Sequence, residues 1–175
     1  MPFKPEEYYY LHLLIIWEKE APPDRHRGNT QTARMARLLR IAVGINDATF
    51  QRLAKRTQRK DGRSYVSKDK DWMREPYEIG RGWYFEGNMS LEDKHAIIKD
   101  LPSLGIISAA FVPCAQDFVA GKSLQKYVPD EDEARRTFQK WVDDDRYWVD
   151  AENLRSSVQR WLDKPPAPKG ERGSL

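Results

Sequence analysis

Apolar positions along the chain fall into blocks whose spacing indicates the element each should form. From Pro5 to about Glu20 they lie almost all round a helical projection (Tyr8, Leu11, Leu14, Ile15, Trp17), predicting a helix that is the central packing element. Pro5 suits the first helical position, and Glu6 and Glu7 suit the positive end of the helix dipole. The aromatic and β-branched content leaves a strand as the alternative. After a loop punctuated by proline and glycine, APPDRHRGNT, the pattern becomes one-sided. Met35, Leu38, Leu39, Ala42 and Val43 recur at i, i+3, i+4, i+7 and i+8, so they form one apolar stripe. Gly44 should stop that helix, because only glycine takes the left-handed C′ geometry without a Cβ penalty. Asn46 or Asp47 can cap a second helix over about 47–59. Its inner side would be Phe50, Leu53, Ala54 and Thr57, and its outer side Gln51, Arg52, Lys55, Arg56 and Arg59.

Beyond residue 60 the period changes. Gly62, Gly80, Gly82 and Gly87 separate the short aromatic stretches Ser64-Tyr65-Val66 and Trp83-Tyr84-Phe85, which predicts strands joined by the basic turn YVSKDKDW. Ser90 with Asp93 three residues on marks another helix start, with Ile97, Ile98 and Leu101 on its apolar side. Leu104-Gly105-Ile106-Ile107 then reads as the approach to a strand with Ala110-Phe111-Val112. Between 130 and 163, Phe138, Trp141, Val142 and Trp148, then Leu154, Val158, Trp161 and Leu162, give aromatic-rich helical stripes. PPAPKGERGSL at the end has too little apolar content to pack.

The helix, the turn carrying Gly44 and the second helix resemble a DNA-reading helix-turn-helix. The turn glycine lies between the apolar residues Val43 and Ile45, Thr49 and Phe50 follow five and six places on, and Leu53 closes the unit, as in that superfamily. A strand pair directly after the reading helix extends the resemblance to the winged-helix arrangement, whose wing touches the DNA backbone or minor groove. The resemblance places the base- and phosphate-contacting positions on Asn46, Asp47, Ala48, Gln51, Arg52 and Lys55. Within that set Asn46, Ala48, Gln51 and Arg52 are the candidate base readers. Thr49, Lys55, Arg56, Arg59, Lys60 and Arg63 are the candidate phosphate contacts. One departure is plain: the position four before the glycine, where the two helices of the family touch through a small residue, is Arg40. The run IIKDLPSLGII also resembles the end of a reading helix and a first wing strand. There Glu92, Asp93 and Asp100 oppose Lys94 and Lys99, which would repel phosphate, and Pro102 breaks the last turn, so this second unit reads as structural.

The expected architecture is therefore mainly α with a small β component (α+β). A helix-turn-helix or winged-helix-like domain would cover 1–112, a connector 113–129, an acidic Trp-rich helical region 130–163 and a disordered tail 164–175. The net charge of +3 decides nothing, but its distribution does. From Asp24 to Gly82 there are 15 Lys and Arg against 7 Asp and Glu, whereas Asp130 to Asp163 holds 10 acids against 6 bases. The basic excess falls on the segment that carries the motif, as phosphate binding requires. The acidic region suits self-association or partner docking instead, with Phe138, Trp141, Trp148 and Trp161 as the candidate contacts.

Catalytic patterns are poor, and no enzyme is expected. His12, His26 and His95 are scattered, and none pairs with Cys114 or a carboxylate at ligand spacing, so neither a metal nor a cofactor is expected. Cys114 beside Pro113 reads as a small buried apolar residue that cannot form an internal disulfide. Asp143-Asp144-Asp145 reads as a solvated acidic run rather than a nuclease metal site, and Gly80-Arg81-Gly82 is too short for a phosphate loop. No apolar run reaches membrane-span length, and MPFKPEE puts acids where a signal peptide carries bases, so an intracellular, soluble protein without membrane contact is expected. Two functions fit. One is a sequence-specific binder of double-stranded DNA, such as a repressor or a plasmid- or phage-type replication or partition factor. The other is a small inhibitor or nucleoprotein subunit whose basic face meets RNA, a guide–target duplex or an acidic protein.

Overall fold

The computed structural model describes residues 2–21, 30–44, 46–68, 76–144 and 152–164. Seven helices and a small antiparallel sheet make it an α+β fold, mainly helical, among the described residues. The helices are α1 (Pro5–Glu20), α2 (Gln31–Val43), α3 (Asp47–Arg56), α4 (Leu91–Asp100), α5 (Val112–Val119), α6 (Glu131–Val142) and α7 (Glu152–Leu162). The strands are β1 (Val66–Ser67), β2 (Pro76–Gly80) and β3 (Trp83–Glu86), in the order β1-β3-β2. None of these helices is long and apolar enough to cross a membrane.

Side-chain caps start the helices where their sequences place Ser, Thr, Asn or Asp. Thr30 accepts from the Ala33 amide at 3.1 Å, Asn46 from Thr49 at 3.2 Å and Ser90 from Asp93 at 3.1 Å. Gly44 ends α2 at φ 68° and ψ −133°, outside the left-handed helical basin but still in territory open to glycine. An added Cβ there would meet nothing within 4 Å, so the requirement is torsional, not steric.

The centre belongs to α2, not to α1 as its all-round apolarity suggests. Helix α2 packs against β2 and β3 on one side and against α1 and α5 on the other. It buries Met35, Ala36, Leu38 and Leu39 and also Thr32, whose hydroxyl donates to the Gly87 carbonyl at 3.1 Å. Helix α1 buries Tyr8, Leu11, Leu14 and Ile15 on one side only, and its Leu13 and Ile16 remain half-buried. Its N-terminus is tied across the fold by the buried Glu7, which accepts from the Lys4 amide at 3.0 Å, the Ser108 amide at 2.7 Å and the Ser108 hydroxyl at 2.6 Å.

That tie bears on the one strand that does not form. Residues 101–104 make a 3-10 turn closed by Gly105 at φ 72°, residues 109–111 make another, and Val112 opens α5 with Pro113 in its first turn. A short apolar run carries no period of its own, and here proline and the fixed Ser108 turn it into helix. The segment expected as a connector thus carries α5, whose Cys114, Ala115, Phe118 and Val119 are buried and which packs on α2 and α4. Burial pushes the Cys114 thiol up to about 12, so it stays a neutral core group. Helix α6 packs on α1 through Phe138 against Tyr8, so the acidic region joins the same apolar core.

Candidate nucleic-acid interface

Helix α3 separates its residues cleanly. Phe50 and Leu53 are buried, while Ala48, Gln51, Arg52 and Lys55 are exposed along one stripe at i, i+3, i+4 and i+7. The helix ends at Arg56, three residues short of the expected Arg59, because Thr57 turns back: its hydroxyl donates to the Leu53 carbonyl at 3.0 Å and lies 2.9 Å from the Ser64 hydroxyl. Residues 58–64 then form a tight loop in which the Arg59 amide donates to the Arg63 carbonyl and Gly62 sits at φ 84°. Exposed Lys60 and Arg63 therefore lie on this loop rather than on a continuing helix face.

The β2–β3 hairpin stands against the start of α3. Arg81 (φ 38°) and Gly82 (φ 81°) form its turn, both at positive φ as a type I′ connection demands. Trp83 stacks on Phe50 with ring centroids 5.5 Å apart, and its indole donates to Asp47 Oδ1 at 2.9 Å. Lys68, just past β1, donates to Asp47 Oδ2 at 3.1 Å and lies 5.3 Å above the Trp83 ring. The indole hydrogen bond, then Lys68 and, more weakly, the charge of Arg81 hold the Asp47 carboxyl below its ordinary range. No pattern in the sequence groups Asp47, Lys68, Arg81 and Trp83. The aromatic stretch around Trp83 is the available signal for this hairpin, and the residue pattern predicts neither β2 nor a turn at Arg81-Gly82.

Several expected phosphate contacts are engaged elsewhere. Arg56 forms a two-point ion pair with Asp100 at 3.0 and 2.8 Å. Arg59 donates to both carboxylate oxygens of Glu86 at 2.7 Å, and Glu86 is only 2% exposed. The Arg59 guanidinium thus compensates a buried carboxylate, which competes with its expected role at a phosphate. Asn46 spends its side-chain oxygen on capping, and half-buried Thr49 accepts a 3.3 Å hydrogen bond from Arg52. Arg40, expected at the helix–helix contact, is exposed, so the departure from the family pattern costs no packing. Lys94, one of the two bases expected to oppose the acids of α4, is 2% exposed and donates to the Met89 carbonyl at 2.5 Å. Burial lowers its pKa.

Two of the four expected docking residues lie inside the chain. Phe138 and Trp141 are 1% and 2% exposed and sit in the core, with Phe138 against Tyr8, Trp141 and Trp161. Side chains already covered within one chain offer nothing to a partner. Trp161 is half-buried, with the Arg135 guanidinium 4.8 Å from its ring centroid, and Trp148 lies outside the described residues. Among the described residues no three His, Cys, Asp or Glu side chains come together as a metal site would need. No protein-family model, curated protein or solved structure matches this chain.

Proposed function

We propose that this protein is an intracellular, sequence-specific binder of double-stranded DNA that places α3 in a major groove. In this reading it is a repressor or a replication or partition factor, working by binding and not by catalysis. The observation that carries it is the exposed stripe of Ala48, Gln51, Arg52 and Lys55 on a helix whose opposite side is anchored by Phe50 and Leu53. A helix presenting a short residue, an amide, a guanidinium and an ammonium along one side has the groups that read base edges and neutralise phosphates. The hairpin supports the winged-helix form of this reading, because Trp83 and Lys68 hold it beside the first turn of α3 and Arg81 stands at its tip. Arg52 and Gln51 are then the base readers, and Lys55, Lys60 and Arg63 the backbone contacts.

The ion pairs of Arg56 and Arg59 leave fewer cations for a DNA backbone, and the second reading is a subunit or inhibitor whose remaining basic face meets RNA, a guide–target duplex or an acidic protein without reading bases. Selection from a pool of random duplexes with the full chain separates the two. Enrichment of a common site supports the groove reader; retention of DNA with no enriched site overturns it in favour of the second reading.

A further inference from the structure

Two neighbouring arginines on α2 have no carboxylate partner among the described residues. Arg37 and Arg40 lie one turn apart on α2, and neither makes an ion pair or a side-chain hydrogen bond among the described residues. Arg34 in the turn before shows the contrast, since it pairs with Glu18 at 2.8 Å and donates to the Phe118 carbonyl at 3.1 Å. Arg37 is half-buried, and its Nε is covered from solvent with no acceptor. Burial, and then the like charge of Arg40, push its pKa down, while Glu20 opposes them without forming a contact. Like charges one helical turn apart, one of them partly stripped of water, cost free energy that a bound anion would offset.

We propose that Arg37 and Arg40 form a binding site for a phosphate group. A carboxylate presents two oxygens, which a single guanidinium fork satisfies; two forks side by side suit a phosphate, whose further oxygens engage the second. The phosphate comes either from a nucleic-acid backbone or from a free phosphate compound. The site stands without the groove-reading role of α3, since none of its residues belongs to that helix.

The test is NMR of the guanidinium Nε–H signals in the full-length chain, titrated with inorganic phosphate and separately with a 20-base-pair duplex, against sodium chloride at matched ionic strength. Saturable shifts of Arg37 and Arg40 with phosphate establish the site, and Arg40→Glu, which supplies Arg37 with a partner one turn away, should abolish them. Its fold is checked by an unchanged amide spectrum elsewhere. If the duplex shifts the same signals and Arg40→Gln with Arg37→Gln lowers the salt slope of duplex binding by about two units, the source is the nucleic-acid backbone. If phosphate binds but those substitutions leave duplex affinity unchanged, the source is a free phosphate compound. No shift beyond the chloride control with either probe overturns the site, even where duplex binding through Arg52 persists. Phosphate shifts with no duplex binding at all would keep the site and sink the DNA reading.

Discussion

The Trp83 indole donates to the Asp47 carboxylate at 2.9 Å, and this bond joins the β2–β3 hairpin to the first residue of the exposed helix α3. An acid at that position favours the helix dipole but would repel an approaching phosphate. The indole and Lys68 occupy both of its oxygens, so the repulsion is reduced and the hairpin is fixed in the same step.

In Trp83→Phe the stacking on Phe50 is kept and the donor is lost. The Asp47 carboxyl should then titrate closer to the ordinary carboxylate range, and affinity for the selected duplex should fall although the amide spectrum of the core is retained. Carbon-detected NMR titration reads the first effect. An unchanged Asp47 titration would mean that Lys68 alone holds the carboxylate.

Arg59→Ala should be a stability variant, not a binding variant. It strands Glu86, which is 2% exposed, and since the Arg59 side of the pair is 29% exposed, the loss should be about 1–3 kcal/mol. Urea unfolding should show that loss, and Glu86→Gln in the same chain should recover part of it by removing the unpaired charge. Should the single variant instead be fully stable and lower the salt slope of DNA binding, Arg59 would be a phosphate contact after all.

The sequence carried the helices with a one-sided period most clearly. Met35 to Val43 and Phe50 to Leu53 show their inner faces directly, and the caps at Asn46 and Ser90 mark real starts. Two kinds of information were not readable. The first is rank among apolar helices: α1 is richer in apolar residues than α2, yet α2 is central because it has a sheet on one side and two helices on the other. The second is which charge meets which. Asp100 and Glu86 lie 44 and 27 residues from Arg56 and Arg59, so no local pattern reveals that they neutralise the basic surface. The strand expected with Ala110-Phe111-Val112 does not form for a local reason, since Pro113 and the Glu7–Ser108 tie are more decisive than β-branched content.

Stability should fall on mild acidification through His12. Its ring lies between Tyr9 and Trp161, its Nδ1 is covered and unpartnered, and burial, then Lys164 and Lys19, lower its pKa from 6.5 to about 4. A group with a depressed folded pKa stays neutral in the folded chain while the unfolded chain takes up the proton. Its contribution is therefore whole above pH 6.5, is lost as pH falls toward 4 and is constant below that. Allowing for partial solvent exposure, the loss is about 1–2 kcal/mol. Urea midpoints at pH 7 and pH 4.5 should converge for His12→Phe relative to the unsubstituted chain. Equal losses in the two proteins would remove His12 from the account.

Base reading and backbone contact should separate on α3 itself. Arg52 and Lys55 share the exposed stripe, but their donors differ: a planar fork matches the two acceptors of guanine, whereas an ammonium is a point charge suited to phosphate. Arg52→Ala should cost about 1–3 kcal/mol on the selected site and relax preference at one base position. Lys55→Ala should weaken selected and random duplexes alike and lower the salt slope by about one unit. Gln51→Ala should behave as Arg52→Ala does, at a different position, since its amide can pair with both N6 and N7 on the major-groove edge of adenine. Binding to a panel of single-base variants at two salt concentrations measures all three. If Arg52→Ala weakened every sequence equally, the guanidinium would be bound to the backbone, and α3 would grip the duplex without reading it.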